Sequence, residues 1–353
     1  MKRESNIYYR ICNMDNLYLA DAIAQKGKSK QSDVIRHNQN AESNLFMLYN
    51  TLMDKKYNTS EYLTFTIHEP KERVIFRLPY FPDRIVHHAI MNVLEPIFTN
   101  MFTADTYSCI KGKGIHAMSR GIIKALKDAP NTGYYLKLDI KKFYPSVDHK
   151  ILKSLLRRKF KDNDLLDLLD GIIDSAPGLP IGNYLSQYFA NFYLTYFDHW
   201  LKEVKGVRYY FRYADDMVIF ASNKADLHRL RIDISEYLSK ELHLAVKGNY
   251  KVSPLDDKSG LDVCGYVFFR HYTLMRKKNK QNFARAVAKG KPMQTINSYL
   301  GWAKHCNSKH LTKKLMIKYE RVQRARHYSS STQNVCGRQD QHKTCAEKED
   351  NYT

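Results

Sequence analysis

Val207-Arg208-Tyr209-Tyr210-Phe211-Arg212-Tyr213-Ala214-Asp215-Asp216-Met217-Val218-Ile219-Phe220-Ala221 is the stretch that decides the fold. Both flanks are rich in aromatic and β-branched side chains, so they read as two strands with the acidic pair at the turn between them. Two adjacent carboxylates are awkward for folding alone. They repel each other, and burying one unpaired either destabilises the fold or raises its pKa until it neutralises. A divalent cation removes the difficulty, because hard oxygen ligands suit Mg2+. An exposed polar hairpin tip, where Asp is common, is the competing reading.

A second carboxylate weighs against that alternative. Tyr134-Tyr135-Leu136-Lys137-Leu138-Asp139-Ile140 reads as an apolar strand, and Asp139 lies at its end, 76 residues before Asp215. By itself Asp139 fits a helix N-cap or a turn. Beside Asp215 it fits another use. Phosphoryl transfer to a 3′-hydroxyl uses two cations about 3.5–4 Å apart, and carboxylates on adjacent strands can bridge such a pair.

The charge of the chain points the same way. Its 353 residues carry 57 Lys and Arg against 36 Asp and Glu, a net +21, which calls for a polyanionic partner such as nucleic acid. The excess is concentrated between Arg270 and His327, with 16 basic residues and one acid, Glu320. A solvated helical surface normally mixes both signs, so this module reads as a phosphate-binding one. The 26 Tyr and 16 Phe offer faces that can stack bases, although most such rings belong to ordinary cores. Six scattered cysteines without a C-x-x-C pair read as reduced thiols, and no apolar run approaches membrane length. The expected location is cytoplasmic, with no membrane partner.

Helical spacing covers about 16–53, interrupted by a basic loop at 25–30, and alternation marks strands at 62–67 and 73–78. Helices are expected at 83–98, 149–160, 163–174, 184–204 and 224–242, with strands at 244–252 and 261–269. Basic helices follow at 279–288 and 295–326, and the last stretch is too poor in large apolar residues to order itself.

Leu138-Asp139-Ile140-Lys141-Lys142-Phe143-Tyr144, then Gly178-Leu179-Pro180-Ile181-Gly182-Asn183-Tyr184-Leu185-Ser186-Gln187, then Tyr213-Ala214-Asp215-Asp216 occur in the order of reverse transcriptase motifs. Arg77-Leu78-Pro79 with Asp83-Arg84-Ile85-Val86-His87-His88-Ala89, and Cys264-Gly265-Tyr266, extend the resemblance over about 15–325. Most reverse transcriptases place Gln before the Gly of the second motif and Pro after its Ser. Here Ile181 and Gln187 stand in those places, which resembles the reverse transcriptases of diversity-generating retroelements. Gly301-Trp302-Ala303-Lys304-His305 and the compact size fit the same subfamily. Its members copy a template-repeat RNA with frequent errors at adenines. A retron-like or phage-defence enzyme is the alternative within the class, and a non-catalytic RNA-binding scaffold is the alternative outside it.

The resemblance implies an α+β right-hand polymerase with an antiparallel-sheet palm, helical fingers and a basic helical thumb. The expected division is 1–80 as N-terminal extension and fingers, 81–270 as palm with a fingers insertion at about 149–177, 271–327 as thumb, and 328–353 as a disordered tail. It makes Asp139, Asp215 and Asp216 the catalytic carboxylates, with the Ile140 carbonyl as a further ligand to two Mg2+ ions, for which Mn2+ can substitute. Tyr144 would lie under the incoming sugar and exclude a 2′-hydroxyl. Arg73, Arg77 and Arg84 are candidates for gripping the triphosphate, a task that suits bidentate guanidinium contacts. Gly182 would let backbone approach the nucleotide. Ile181 can offer only apolar contact where an amide could hydrogen-bond, which would weaken discrimination at the nascent pair. Lys251 or Lys247 is a candidate to protonate pyrophosphate, and Lys304, Lys313 and Lys314 to hold the template–primer. The implied partners are an RNA template, the RNA/DNA duplex, dNTPs and a small basic accessory protein. His305-Cys306 with His310 lacks zinc spacing, and His87-His88 reads as helix packing.

Overall fold

The computed structural model of the chain describes residues 4–68 and 72–326, which divide into two compact units at Pro254/Leu255. The expectation placed on 328–353 lies outside the described residues.

The first unit begins with four helices, α1 (Tyr8–Cys12), α2 (Met14–Ala24), α3 (Ser32–Asn38) and α4 (Ala41–Met53). A hairpin of β1 (Leu63–Ile67) and β2 (Arg73–Arg77) follows, then α5 (Ile85–Met101) and α6 (Ile115–Ala125). Strand β3 (Tyr134–Asp139) leads to α7 (His149–Lys159), α8 (Asn163–Asp174), α9 (Tyr184–Tyr193) and α10 (Thr195–His199). Strands β4 (Tyr209–Tyr213) and β5 (Asp216–Ala221), helix α11 (Lys224–Leu242) and β6 (Lys251–Pro254) complete it.

The sheet runs β4-β5-β3-β6 and is antiparallel at every pairing. Its central strands are buried almost without alternation, because helices cover them: α11 packs on β3, β5 and β6, and α6 on β4. Helix α5 is the spine of the unit. Its Ile85, Val86, Ala89, Ile90, Leu94 and Phe98 are all fully buried and pack toward α1, α2 and α9. The Phe98 ring meets Phe160, Phe189 and Phe192 with centroids 5.1–6.5 Å apart. Fully burying each such ring stabilises the core by about 1.5–3 kcal/mol.

One hydrophobic core runs from Ile7 to Leu244, on both sides of the expected division at 80/81. The N-terminal helices are tied in by polar contacts as well. Asp162 caps α8 through Leu165 N–H and also accepts from the N–H groups of Ile7 (2.6 Å) and Tyr8 (3.0 Å). The Tyr80 hydroxyl donates to the Asp21 carboxylate at 2.5 Å.

The second unit holds an antiparallel sheet of β7 (Leu261–Val263), β8 (Tyr266–Phe268) and β9 (Thr273–Met275). Helices α12 (Lys277–Ala288), α13 (Met293–Ala303) and α14 (309–326) enclose a small core of Phe283, Val287, Ile296, Leu315 and Tyr319. The unit therefore starts at 255, ahead of the expected 271, because the three short strands belong with these helices.

Three expected elements are divided. The strand at 261–269 turns back at Cys264-Gly265, both with positive φ, where a Cβ on Gly265 would lie 2.1 Å from the Trp302 ring. The helix at 295–326 breaks over 304–307, and the Asn307 side chain there accepts from Thr273 N–H. The apolar helix at 184–204 ends at Tyr193, restarts as α10 and finishes in a wider turn, Trp200–Val204. Among the described residues no helix is long and apolar enough to cross a membrane.

Candidate active site

Tyr213 pairs with Asp216 across β4 and β5, so Ala214 and Asp215 form the turn. Ala214 has φ +54°, a left-handed conformation that costs an L-residue about 1–2 kcal/mol. Both of its backbone groups are held: the N–H donates to Ser108 Oγ (3.0 Å) and the carbonyl accepts from Arg212 Nη1 (3.2 Å).

Strand β3 lies beside β5 with Asp139 opposite Asp216, which brings the separate carboxylates of the sequence to one end of the sheet. Asp215 is pushed up to about 6, chiefly by burial, then by the charge of Asp139, with a smaller contribution from Asp216. One Asp139 oxygen, Oδ1, is buried without a hydrogen-bond partner among the described residues, and the other contacts the Lys247 ammonium. A buried carboxylate oxygen left unpaired beside a carboxyl whose ionisation is suppressed is a donor set that fits a hard divalent cation. Among the described residues, no three His, Cys, Asp or Glu side chains converge as a metal cluster. Asp216 occupies the strand position facing Asp139. Ile140 continues β3, fully buried, in a bridge to Val246.

That bridge gives the two lysines different settings. Residues 244–250 do not form the expected strand, yet Lys141 N–H donates to Ala245 carbonyl and Lys247 N–H to Asp139 carbonyl, both at 2.8 Å. Lys247 is thereby set against the carboxylates. Lys251 pairs with Lys137 further back along β3, and its ammonium lies 5.7 Å from the Tyr135 ring centroid. The pattern of 244–252 concealed this, because Gly248 and Asn249 interrupt the pairing.

Tyr144 is half-buried, and its hydroxyl is raised well above the ordinary tyrosine value by burial, with Cys109 and Asp215 adding to the effect. Its carbonyl accepts from Leu179 N–H at 2.8 Å, and a Cβ on Gly178 would lie 2.6 Å from that carbonyl oxygen. The loop 178–183 is thus packed on the Tyr144 turn. Ile181 carbonyl in turn accepts from Phe76 N–H at 2.8 Å, which ties the β1–β2 hairpin to the loop. Gly182 has φ +120°, and a Cβ there would sit 2.7 Å from the Phe76 carbonyl oxygen. Its missing side chain serves this close approach of protein backbone.

The three arginines have different settings. Arg73 is exposed at the start of β2, and its charge reaches the Tyr144 hydroxyl. Arg77 is exposed and engaged by Asp33 at 3.1 Å. Arg84 is half-buried, with Nε lacking a partner among the described residues, and burial lowers its pKa. It lines a cavity of about 260 Å³ with Arg77, Phe76, His87, Gly182 and Gln187. Buried His87 and His88 are lowered to about 3 and about 4 by burial and the nearby positive charge, and the His88 ring stacks on Tyr184 at 4.6 Å. Lys304, Lys313 and Lys314 are exposed on the second unit.

Sequence reasoning missed Ser108, Asn191 and Asp198, which surround Arg212. The available signal was Arg212 itself, a charge inside an otherwise apolar strand.

The family model "Reverse transcriptase (RNA-dependent DNA polymerase)" matches residues 67–249. Protein YkfC of Escherichia coli (strain K12) is 24% identical over 257 residues, 60% of this chain and 65% of that protein. The retron Ec73 reverse transcriptase of Escherichia coli is 27% identical over 210 residues, 53% of this chain and 66% of that protein. The chain thus spans a little under two thirds of the length of these relatives. Apo telomerase from Candida tropicalis superposes with a TM-score of 0.48 at 12% identity, over 64% of this chain and 49% of that one. With more than half of its residues inside the family model and the family's carboxylates gathered at the end of an antiparallel sheet, the chain belongs to the reverse transcriptase family.

Proposed function

We propose that the chain is an RNA-directed DNA polymerase that extends a primer along an RNA template and releases pyrophosphate from each dNTP. The observation that carries this reading is the meeting of Asp139, at the end of β3, with the Asp215-Asp216 turn that opens β5, where burial and the charge of Asp139 raise Asp215 to about 6. Asp139 and Asp215 would hold Mg2+, with Asp216 and the Ile140 carbonyl as the further oxygen donors. Bound there, the metal ions would activate the primer 3′-hydroxyl and neutralise charge on the triphosphate.

The remaining roles belong to the chain's own groups. Lys247, already against Asp139, is set to balance the carboxylates before a cation arrives and to donate a proton to departing pyrophosphate. Tyr144 presents a desolvated ring beside Asp215, suited to pack under the sugar. Arg73, which reaches the same tyrosine electrostatically, is the favoured triphosphate contact, because Arg77 is engaged by Asp33. The basic second unit, including Lys304, Lys313 and Lys314, would hold the template–primer through its phosphates, so binding should weaken steeply with salt.

Within the family we favour an enzyme of a diversity-generating retroelement, acting with a small basic accessory protein. Ile181-Gly182-Asn183-Tyr184-Leu185-Ser186-Gln187 supports this, since Ile181 cannot offer an amide to the nascent pair. The likeness to the retron Ec73 enzyme favours a second reading, a retron-like reverse transcriptase. Sequencing the products of RNA-templated extension separates the two. The first reading expects errors concentrated at template adenines and reduced by Ile181→Gln. Faithful copying would overturn it, and no synthesis on any template would favour an RNA-binding scaffold.

A further inference from the structure

We propose that the buried set Arg212, Asp198, Asn191 and Ser108 is a positioning device for the carboxylate turn, fixing the place from which Asp215 meets a divalent cation. This rests on the polymerase reading for its catalytic consequence, but not for its metal-binding one.

Arg212 and Asp198 are both fully buried, 0% exposed, an unusual place for a full charge on either side. Arg212 Nε and Nη2 reach the Asp198 carboxylate at 2.8 and 2.5 Å, and the Tyr210 hydroxyl donates to the same group at 2.7 Å. That satisfies the acid. The third nitrogen of the guanidinium is turned elsewhere: Nη1 donates to Asn191 Oδ1 (3.0 Å) and to the Ala214 carbonyl (3.2 Å). Asn191 Oδ1 also accepts from Ser108 Oγ (3.1 Å), while Asn191 Nδ2 donates to the Ser108 carbonyl (2.8 Å). Ser108 Oγ finally accepts from Ala214 N–H at 3.0 Å. The network closes on both polar backbone groups of one residue, and that residue precedes Asp215.

The backbone around it is built to the same end. Arg212 N–H donates to Asp105 carbonyl and Tyr107 N–H to Arg212 carbonyl, both at 2.9 Å, so segment 105–108 runs alongside β4 and delivers Ser108 to the turn. Ala214 is left-handed at φ +54°, a conformation that persists where its surroundings over-determine it. A buried ion pair is weak evidence of stabilisation, since apolar side chains of similar volume commonly serve as well. What apolar side chains cannot supply is a directional hold on the Ala214 N–H and carbonyl. A small displacement of a catalytic group is enough to reduce rate by orders of magnitude.

The test uses Ser108→Ala, which removes one acceptor and little volume, with Ser108→Thr as the conservative variant. Arg212→Lys is the second probe, since it retains a charge for Asp198 but loses the fork. Mn2+ affinity of the free chain is read from the electron paramagnetic resonance of unbound Mn2+, and single-nucleotide incorporation is measured on an RNA template–primer. Folded Ser108→Ala is expected to bind Mn2+ about fivefold more weakly and to lose about ten- to a hundredfold in kcat, with the dNTP KM unchanged. Ser108→Thr should recover most of both, and Arg212→Lys should fall in the same direction. A Ser108→Ala or Arg212→Lys variant that is merely less heat-stable, with Mn2+ affinity and kcat within about twofold of the parent, overturns the proposal. If the parent extends no primer while Ser108→Ala still weakens Mn2+, the polymerase reading fails and the positioning role stands.

Discussion

Two hairpins of the first unit flank the proposed chemistry, and they are built in opposite ways. The β4–β5 hairpin belongs to the four-stranded sheet, with β4 at its edge and β5 inside it; both strands are largely buried, and the turn is held by side chains from segment 105–108 and from α9. The β1–β2 hairpin is a separate two-stranded sheet, exposed along most of its length, with Leu63 62% and Val74 47% accessible. A backbone hydrogen bond from Phe76 to Ile181 and the close approach at Gly182 tie it to the loop. A carboxylate that must hold a cation needs fixed geometry. A hairpin that must admit and release a nucleotide needs few apolar contacts, so that it can open locally.

Substitutions at the first hairpin should therefore be the most damaging. Asp215→Asn should reduce nucleotide incorporation by about a thousandfold or more in a primer-extension assay, because it removes a charge that stabilises the transition state. The variant should remain folded, and removing repulsion with Asp139 should leave its melting temperature level or higher. Asp198→Asn would leave the Arg212 charge buried without its partner, a loss of about 3–5 kcal/mol readable by urea denaturation. A loss below about 1 kcal/mol would mean the network is looser than its distances indicate.

At the second hairpin the largest effect belongs to Gly182→Ala. The new Cβ would meet the Phe76 carbonyl oxygen at 2.7 Å in a backbone with φ +120°, which costs about 1–3 kcal/mol or displaces β2. Its kinetic mark should be a raised dNTP KM, whereas the Asp215 variant loses kcat. Val74→Ser, on the exposed side, should stay within about 0.5 kcal/mol of the parent in the same denaturation assay.

Between the hairpins, His87 supplies a pH test. Its folded-state pKa of about 3 lies below the ordinary value of 6.5, so the unfolded chain binds the proton more readily. Stability from this group is complete above pH 6.5 and is lost as pH falls toward 3, at up to about 1.4 kcal/mol per pH unit. His87→Leu should flatten that slope between pH 6.5 and 4.5 without abolishing it, because His88 titrates in the same sense.

The same contrast explains what could be read from the sequence. The β4–β5 turn was legible because strand composition and an acid pair are local signals, and Asp139 joined it through its position at a strand end. The helices α5, α7, α8 and α11 were legible from their apolar spacing. The setting of Arg212 was not, because its side-chain partners come from 191, 198 and 106, and no local pattern carries a contact across such separations. The different settings of Lys247 and Lys251 failed to show for a related reason: they depend on where a broken strand meets β3.

The most direct test of the account is single-turnover incorporation of one dNTP on an RNA template–primer, with Mg2+ varied, by the parent chain and by Asp139→Asn and Asp215→Asn. The account predicts Mg2+-dependent extension by the parent, and a loss of about a thousandfold in either variant that saturating dNTP does not restore. Extension by either variant at a rate close to that of the parent would contradict it.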